Sequence, residues 1–446
     1  MVGVDTLRRD HVGVGLTPFL DDRVTAGVDF ADVTAPAPWT LPSFAGAFTG
    51  LMPSLHGAVL PGTIRNMDTQ PPHRLKDGTV TLARHLGGRG YRTAAFYANQ
   101  FFAFGLAESF DEHHYLNLAA EDILKVAADW IRRHADQPFF CFVLLNDPHE
   151  PTTPGDPFLQ PELDALDLAP PSLAELRHLT AWGDPDLAEA HLGHCGWPLP
   201  AGAERARSLK RAIYRACVRQ IDQSLATFFN RLDGWGLNKN TLNSVFSDHG
   251  EEFCDHAAEA QNWNHDPRRV RGIGHGHTQF QELLRVPWLN WGAGVPGWGA
   301  VKQPVSLLDL APTMANWLGM GPFHLPDAGC PGLVGQALTS TDHDPERVLL
   351  AEALAYGPDV VAVRQDNWKL VAQRDGKPLG LYDLHQDPRE RNDLTTAEPG
   401  PLRRLQAILA TWRGSSNSSK QDEAAPAWSD LDDEVRQRLK DLGYGE

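Results

Sequence analysis

The sequence predicts an α/β protein built on a mainly parallel sheet, with a small α+β unit at its C-terminal end. Three observations carry this. Apolar strand-like runs alternate with helical patterns along most of the 446 residues, as they do where helices cross over between parallel strands. Two of those runs pass directly into polar turns holding Asp and His, and open α/β sheets place ligands at the carboxyl ends of their strands. After about residue 340 the pattern breaks into short strand-like pieces followed by two helical stretches.

Taken in order, the Ala37–Gly50 stretch starts a helix, with Pro42 tolerated in the first turn and Gly50 past the end. The clearest strand is the apolar run Phe139–Leu145, which ends in Asn146-Asp147-Pro148-His149. Residues 151–200 are Pro-rich, with little periodicity before Leu173–Leu179, and read as an insertion lying over the sheet. Ala206 to Leu232 repeats at helical spacing, with Ile213, Val218, Ile221, Leu225 and Phe228 on one apolar side. A second strand, Thr241–Phe246, ends in Ser247-Asp248-His249-Gly250. The large unit then spans 1–340 and the small one 341–446, with strands at Val360–Gln365, Trp368–Gln373 and Leu379–Tyr382 and helices at Pro401–Trp412 and Leu431–Leu442.

Composition narrows the function. A net charge of −17 leaves no broad basic surface for nucleic acid, yet a metal and a few local cations can still make one cleft attractive to an anion. No stretch reaches the roughly 18 apolar residues of a membrane span. The MVGVDTLRRD start lacks the regions of a signal peptide, and five scattered cysteines without CxxC spacing argue against a disulfide framework or a zinc knuckle. These features lead to the expectation of a reduced, cytoplasmic protein that acts away from membranes. Oligomeric state is not legible here.

Chemistry concentrates in a few strand-end motifs. Asp5, just after the first apolar residues, is a carboxylate suited to a hard divalent cation, though a lone acid there is also an ordinary turn residue. Thr40 stands at a helix start, where it either caps the helix or presents a hydroxyl among free N–H groups that favour an anionic ester. Asp147-Pro148-His149 and Asp248-His249 each join an oxygen and a nitrogen donor. His275 and His277 follow in Gly274-His275-Gly276-His277-Thr278.

The blocks VDTLRRDHVG, TPFLDDRVTAGVDF, APWTLPSFAGAFTGLMPSLHG, GYRTAAFYAN, NDPHEP, SDHGEEF, GHGHTQFQELLRVP and LYDLHQDPRERNDL resemble, in order and over nearly the whole chain, those of the sulfatase family of the alkaline phosphatase superfamily. The resemblance implies an α/β/α sandwich and one divalent metal ion (Mn, Zn, Ca or Mg). Asp5, Asp248 and His249 fall at metal-ligand positions, and Thr40 falls at the nucleophile that contacts the metal. His149 and His275 fall where side chains hold the ester and protonate the leaving group. Asn99 and His277 fall on the substrate side, and Thr6 at a second-ligand position often filled by Asp or Gln.

Sulfatases carry C-x-P-S-R or S-x-P-S-R, whose first residue becomes formylglycine; here the block reads Thr40-Leu41-Pro42-Ser43-Phe44. Threonine is not a substrate for that conversion, and the supporting arginine is Phe44. A sulfated formylglycine hydrate can collapse to the aldehyde and expel sulfate, an exit that a sulfated threonine lacks. A phosphothreonine can instead be hydrolysed by metal-assisted water. The expectation is therefore a hydrolase of small anionic phosphate or phosphonate esters through Thr40. A sulfate-ester hydrolase, a transferase with the same site, and a silent binding protein are the alternatives.

Overall fold

The computed structural model describes residues 1–150, 154–172, 201–256, 267, 272–327, 329–416, 427–431 and 433–441. Its central sheet orders the strands Gly299–Val301, Val28–Thr34, Arg285–Gly292, Leu242–Phe246, Val2–Val4, Phe139–Leu145, Arg92–Tyr97 and Glu112–Tyr115, with Val305–Ser306 also on Val28–Thr34. Arg285–Gly292 runs antiparallel to both neighbours, and every other pairing in this sheet is parallel. The strand Val2–Val4 is short, yet it sits at the centre between the two predicted strands, aligning Val2 with Val143 and with Val245. Its carboxyl end therefore lies beside theirs, which brings Asp5, Asn146–His149 and Ser247–His249 to one edge.

Side chains alternate between two helical layers, as a strand period of two requires. Phe142, Leu144 and Phe246 face the helices Thr40–Thr49 and Leu310–Trp317. Val2, Val4, Val143, Leu145 and Val245 face Ala120–Arg133 and Ala201–Gly234. Within the second layer the expected apolar side of the long helix is buried at Val218, Ile221, Leu225 and Phe228. Ile213 joins a smaller cluster instead, with Leu159 and Leu163. Those two come from a helix, Asp156–Ala165, that periodicity did not show: Pro157 and Pro161 interrupt the pattern while Pro157 suits a first turn. This part of the 151–200 segment packs against the long helix rather than over the sheet. The Leu173–Leu179 stretch lies outside the described residues.

The helix Thr40–Thr49 is buried along its whole length and ends at Gly50 in the left-handed region. Phe44 points from it into an aromatic cluster, with ring centroids 6.1 Å from Phe102, 5.9 Å from Phe142 and 5.7 Å from Phe246. Gly3 makes this approach possible, since a Cβ there would lie 2.9 Å from the Phe44 ring.

The C-terminal unit is a four-stranded antiparallel sheet of Val348–Ala351, Val360–Gln365, Trp368–Gln373 and Pro378–Asp383. Leu405, Leu409 and Trp412 of the helix Pro399–Ser416 cover it. Arg364 donates to both oxygens of Asp32, at 2.9 and 2.7 Å, and ties this sheet to the large one. The last helix, Asp433–Asp441, departs from expectation by docking on the large unit: Leu439 enters its core and Arg438 lies 4.5 Å over the Tyr115 ring. Among the described residues no helix is long and apolar enough to cross a membrane.

Phe44→Ala should lower unfolding stability by about 3–5 kcal/mol, read as an earlier denaturant midpoint, because it empties the cluster that seats the Thr40 helix. A loss below about 1 kcal/mol would show that the cluster does not hold this helix.

Candidate active site

The turn after the strand Leu242–Phe246 is set by backbone geometry as much as by side chains. Phe246 closes the strand, and Gly250 then passes so near the next segment that a Cβ would fall 1.9 Å from the Glu282 carbonyl oxygen. Only glycine fits there, which fixes the path of Asp248-His249-Gly250. Across the turn, Ser43 Oγ donates to the Asp248 carbonyl at 2.6 Å and clamps the Thr40 helix against it.

Asp5, Asp248 and His249 converge, offering ligand atoms that all lie within 4.8 Å of one another. His249 Nε2 is 3.3 Å from Asp5 Oδ1 and 3.3 Å from Asp248 Oδ2. All three residues are fully buried. Among the described residues no side-chain donor reaches Asp5 Oδ1 or either Asp248 carboxylate oxygen; the Asp248 carboxylate has only backbone N–H groups of the turns beside it, that of Thr6 among them. Burial, and next the Asp5 charge, push the Asp248 carboxyl well above its ordinary range. Burial, and next the neighbouring His275, push His249 down to about 3, so its ring is neutral. Since its Nδ1 donates to the Gly250 carbonyl at 2.9 Å, Nε2 carries the lone pair and aims it at the two carboxylates. Three buried acceptors facing one point with no donor among them is the donor set of a divalent cation. The residues fit the group.

Thr40 opens its helix, but the N-cap residue is Trp39 and no side chain caps the turn. The capping alternative is thus removed by position: a hydroxyl one residue inside the helix faces outward from its start. Thr40 Oγ1 lies 3.4 Å from His249 Nε2 and accepts from Asn99 Nδ2 at 3.3 Å. Asn99 also donates from Nδ2 to Asp5 Oδ2 at 2.7 Å, and its Oδ1 accepts the Phe101 N–H at 3.0 Å. Asn99 therefore links Thr40 to a ligand carboxylate, a positioning task closer to the metal than the substrate-side place the resemblance implied.

His149 and His275 stand over the cluster. The His275 ring centroid is 4.4 Å from that of His249 and 4.9 Å from that of His149. His149 Nδ1 donates to the Glu150 carbonyl, and the Glu150 carboxylate in turn accepts from Lys210. His275 Nδ1 meets the Glu251 carboxylate at 3.3 and 3.4 Å. Glu251, the first glutamate of SDHGEEF, was not singled out from sequence; its place two residues after His249 in that block was the available signal. Lys210, on a helix remote in sequence, offered none.

Two expected residues make other contacts in the structure. His277 is buried against Glu252, with Nε2 2.7 Å from Oε2, and serves the packing around the strand pair Glu252–Phe253 and Ile273–Gly274. Residues two apart on a regular strand would share a side, but Gly276 between the two histidines has φ 80° and turns His277 away from His275. Thr6 adopts φ 60°, its carbonyl accepts from Tyr214 Oη at 2.7 Å, and its buried hydroxyl has no hydrogen-bond partner. The backbone turn thus spends Thr6 on chain reversal after Asp5.

A sheet with its ligands gathered at the carboxyl strand ends, and a hydroxyl facing a mixed carboxylate–imidazole cluster, define an alkaline-phosphatase-like α/β enzyme fold. Residues 2–320 match the Sulfatase family, and the chain belongs to it; the family is one of ester hydrolases. A "Sulfatase" of Formosa agariphila is 23% identical, covering 90% of this chain and 83% of that one. Arylsulfatase K of Gallus gallus is 25% identical over 64% of this chain, which spans about half (53%) of that relative's length. A protein solved in complex with its substrate D-glucosamine-2-N,6-O-disulfate superimposes with a TM-score of 0.69 at 17% identity, covering 95% and 98% of the two chains. A phosphonate monoester hydrolase from Silicibacter pomeroyi gives 0.67 at 18% identity, covering 93% and 94%.

Another buried histidine, His56, supports the Thr40 helix. His56 Nδ1 accepts the Ala58 N–H at 3.1 Å and Nε2 donates to the Pro42 carbonyl at 3.2 Å. Burial pushes it down to about 3, so below an ordinary pKa of 6.5 the unfolded chain takes up a proton that the native state refuses. Its stabilising share is complete above 6.5 and is lost as pH falls from there toward 3, by up to about 1.4 kcal/mol per pH unit. In denaturant titrations at several pH values, His56→Gln should flatten the wild-type slope across that window; parallel slopes would refute the assignment.

Proposed function

We propose that the chain is a metal-dependent ester hydrolase with Thr40 as nucleophile, and that it acts on phosphate or phosphonate esters in preference to sulfate esters. The placement of Thr40 Oγ1 carries the reading: uncapped, 3.4 Å from His249 Nε2, and oriented by Asn99. Asp5, Asp248, His249 and Thr40 would hold the cation, which when bound neutralises ester oxygens and lowers the hydroxyl pKa.

The chain's own groups supply the rest. Asn99 donates to the Thr40 oxygen and to Asp5, keeping the attacking atom beside the metal ligands. At the start of the helix the Thr40 and Leu41 N–H groups are available to the transferring group, whereas Pro42 has none and Ser43 donates to the Trp39 carbonyl. The Thr40 hydroxyl gives up its proton to solvent as its oxygen forms a bond to phosphorus and the bond to the leaving alkoxide breaks. The Glu251-paired His275, or His149 beside it, delivers the proton that the alkoxide takes. Water then attacks the phosphothreonine and passes a proton to the histidine that protonated the alkoxide, the bond from phosphorus to Thr40 breaks, and the threonine oxygen regains a proton from solvent. Passing the group to an alcohol instead of water would make the same site a transferase.

Phe44 supports phosphorus over sulfur. It occupies the place of the sulfatase arginine and is fully buried among phenylalanine rings, so no charge reaches the nucleophile from that position. The sulfate-ester alternative draws on the likeness to sulfatases, and the test includes it. The reduced and cytoplasmic setting expected from sequence belongs to the same proposal.

The metal-loaded protein should turn over aryl phosphate or phosphonate esters faster than aryl sulfates. Thr40→Ala should cut kcat by about 10³-fold or more with an unchanged melting curve, and Thr40→Ser should retain a substantial part. Full activity in Thr40→Ala would refute the nucleophile, and faster sulfate turnover by the wild type would refute the preference. Chelation should abolish turnover and lower Tm, because it leaves Asp5 and Asp248 opposed without a cation; an unaffected Tm would count against the metal site.

A further inference from the structure

A cavity of about 820 Å³, well within the range of small-ligand sites, opens where the large unit meets the C-terminal one. None of the residues assigned to the ester centre lines it. Its walls hold eight arginines against four carboxylates, in a chain whose net charge is −17. A concentration of positive charge against an acidic background is an arrangement that focuses potential on an anion.

The pairing within the walls sharpens this. Asp10 is taken by Arg8, and Asp255 by Arg8 and Arg211. Glu162 is taken by Arg215, and Glu282 by His256 at 2.6 Å. All four lining carboxylates are thereby spent. Arg9, Arg207, Arg285, Arg389 and Arg391 remain without a lining carboxylate. Arg9 pairs with Asp29 through Nη2, while its Nη1 is buried with no partner. Arg285 donates from Nη2 to the Ala31 carbonyl, lies 3.9 Å from Asp32, and leaves a buried Nε with no hydrogen-bond partner. Among the described residues, Arg207 pairs with Glu204 of its own helix, and Arg391 donates to the Asp255 carbonyl. No described carboxylate pairs with Arg389, which is exposed at the rim.

We propose that this cavity is a second binding site, separate from the Thr40 centre, for a compact polyanion bearing several phosphate or sulfate groups. Guanidinium forks match such oxyanions two bonds at a time, and five of them drawn from both units would grip more than one group at once. A wall whose carboxylates are already spent also rejects cations and neutral sugars. The site does not depend on what the ester centre hydrolyses.

The test titrates the full-length, metal-loaded protein calorimetrically with inositol hexakisphosphate and, separately, with sucrose octasulfate. At least one should bind saturably at one per chain, more weakly as salt rises, and the tighter of the two identifies phosphate or sulfate as the anion recognised. Arg207→Gln combined with Arg389→Gln should weaken that binding by about tenfold or more, while Tm and turnover of a small aryl ester stay at wild-type values. Saturable binding by neither probe would overturn the proposal, as would equal affinity in the double variant. Binding that survives in the double variant but is lost in Asp248→Asn would place the ligand at the ester centre and overturn it equally.

Discussion

Two carboxylates and a neutral imidazole, all fully buried, point their acceptor atoms at one place; the rest of the large unit exists to make that tolerable. Buried charges of like sign raise each other's proton affinity and destabilise the fold unless something cationic sits between them. Among the described residues no cationic side chain serves that purpose. Asn99 contributes two hydrogen bonds from one amide nitrogen, one to Asp5 and one to Thr40, and the Gly250 carbonyl accepts from the proton-bearing side of His249. Each of these contacts fixes a lone pair toward the same point. The arrangement is costly as a folding unit and sensible as a binding one, which is why geometry, more than any single side chain, carries the metal assignment.

That demand explains the surrounding architecture. A three-residue strand, Val2–Val4, occupies the centre of the sheet, where its only wide freedom is the turn that follows. Both neighbours run parallel to it, so three strand ends open on one edge and three donor-bearing turns meet. The helix that delivers Thr40 has no exposed face at all and is held by Phe44 below, by Ser43 on the Asp248 carbonyl and by His56 on the Pro42 carbonyl. The C-terminal unit adds another constraint: Trp39 Nε1 donates to the Ala353 carbonyl at 2.6 Å, and the Ala355 N–H reaches the Gly276 carbonyl at 2.7 Å. Thus Trp39, just before Thr40, and Gly276, just after His275, are both pinned by the smaller unit.

Much of this was legible in the sequence, for reasons that differ by element. The strands Phe139–Leu145 and Leu242–Phe246 were readable because a strand buried on both faces writes a continuous apolar run, and the long helix because a one-sided face repeats visibly. Asp5, Thr40, Asp248, His249, His149 and His275 were found by their positions in ordered blocks, and the fold brings all six together. Where structure and expectation differ, each case has its own physical reason. Asp156–Ala165 carries two prolines that mask its period, His277 is turned from His275 by the left-handed Gly276 between them, and Thr6 is used for its backbone at φ 60°. Glu251 and Lys210 act through other residues, and a side chain that acts through another leaves no mark of its own in a single sequence.

Thr40 and Phe44 are where this sequence departs from the formylglycine pattern. A formylglycine site needs a residue that can be converted and a nearby cation to support the product; here the first cannot be converted and the second is an aromatic ring in a hydrophobic cluster. Yet the helix start, the clamp from Ser43 to Asp248, the amide bridge from Asn99 and the carboxylate-paired histidine remain in place. On the proposed reading these parts would serve any in-line displacement at a tetrahedral centre carrying negative oxygens, because they orient a hydroxyl and supply a proton without reference to sulfur. What distinguishes the two chemistries is the second step: aldehyde collapse asks for the modified side chain, whereas attack of water at phosphorus asks only for the same electrostatic frame used again. The proposed phosphothreonine route therefore asks of this site only the electrostatic frame that it holds.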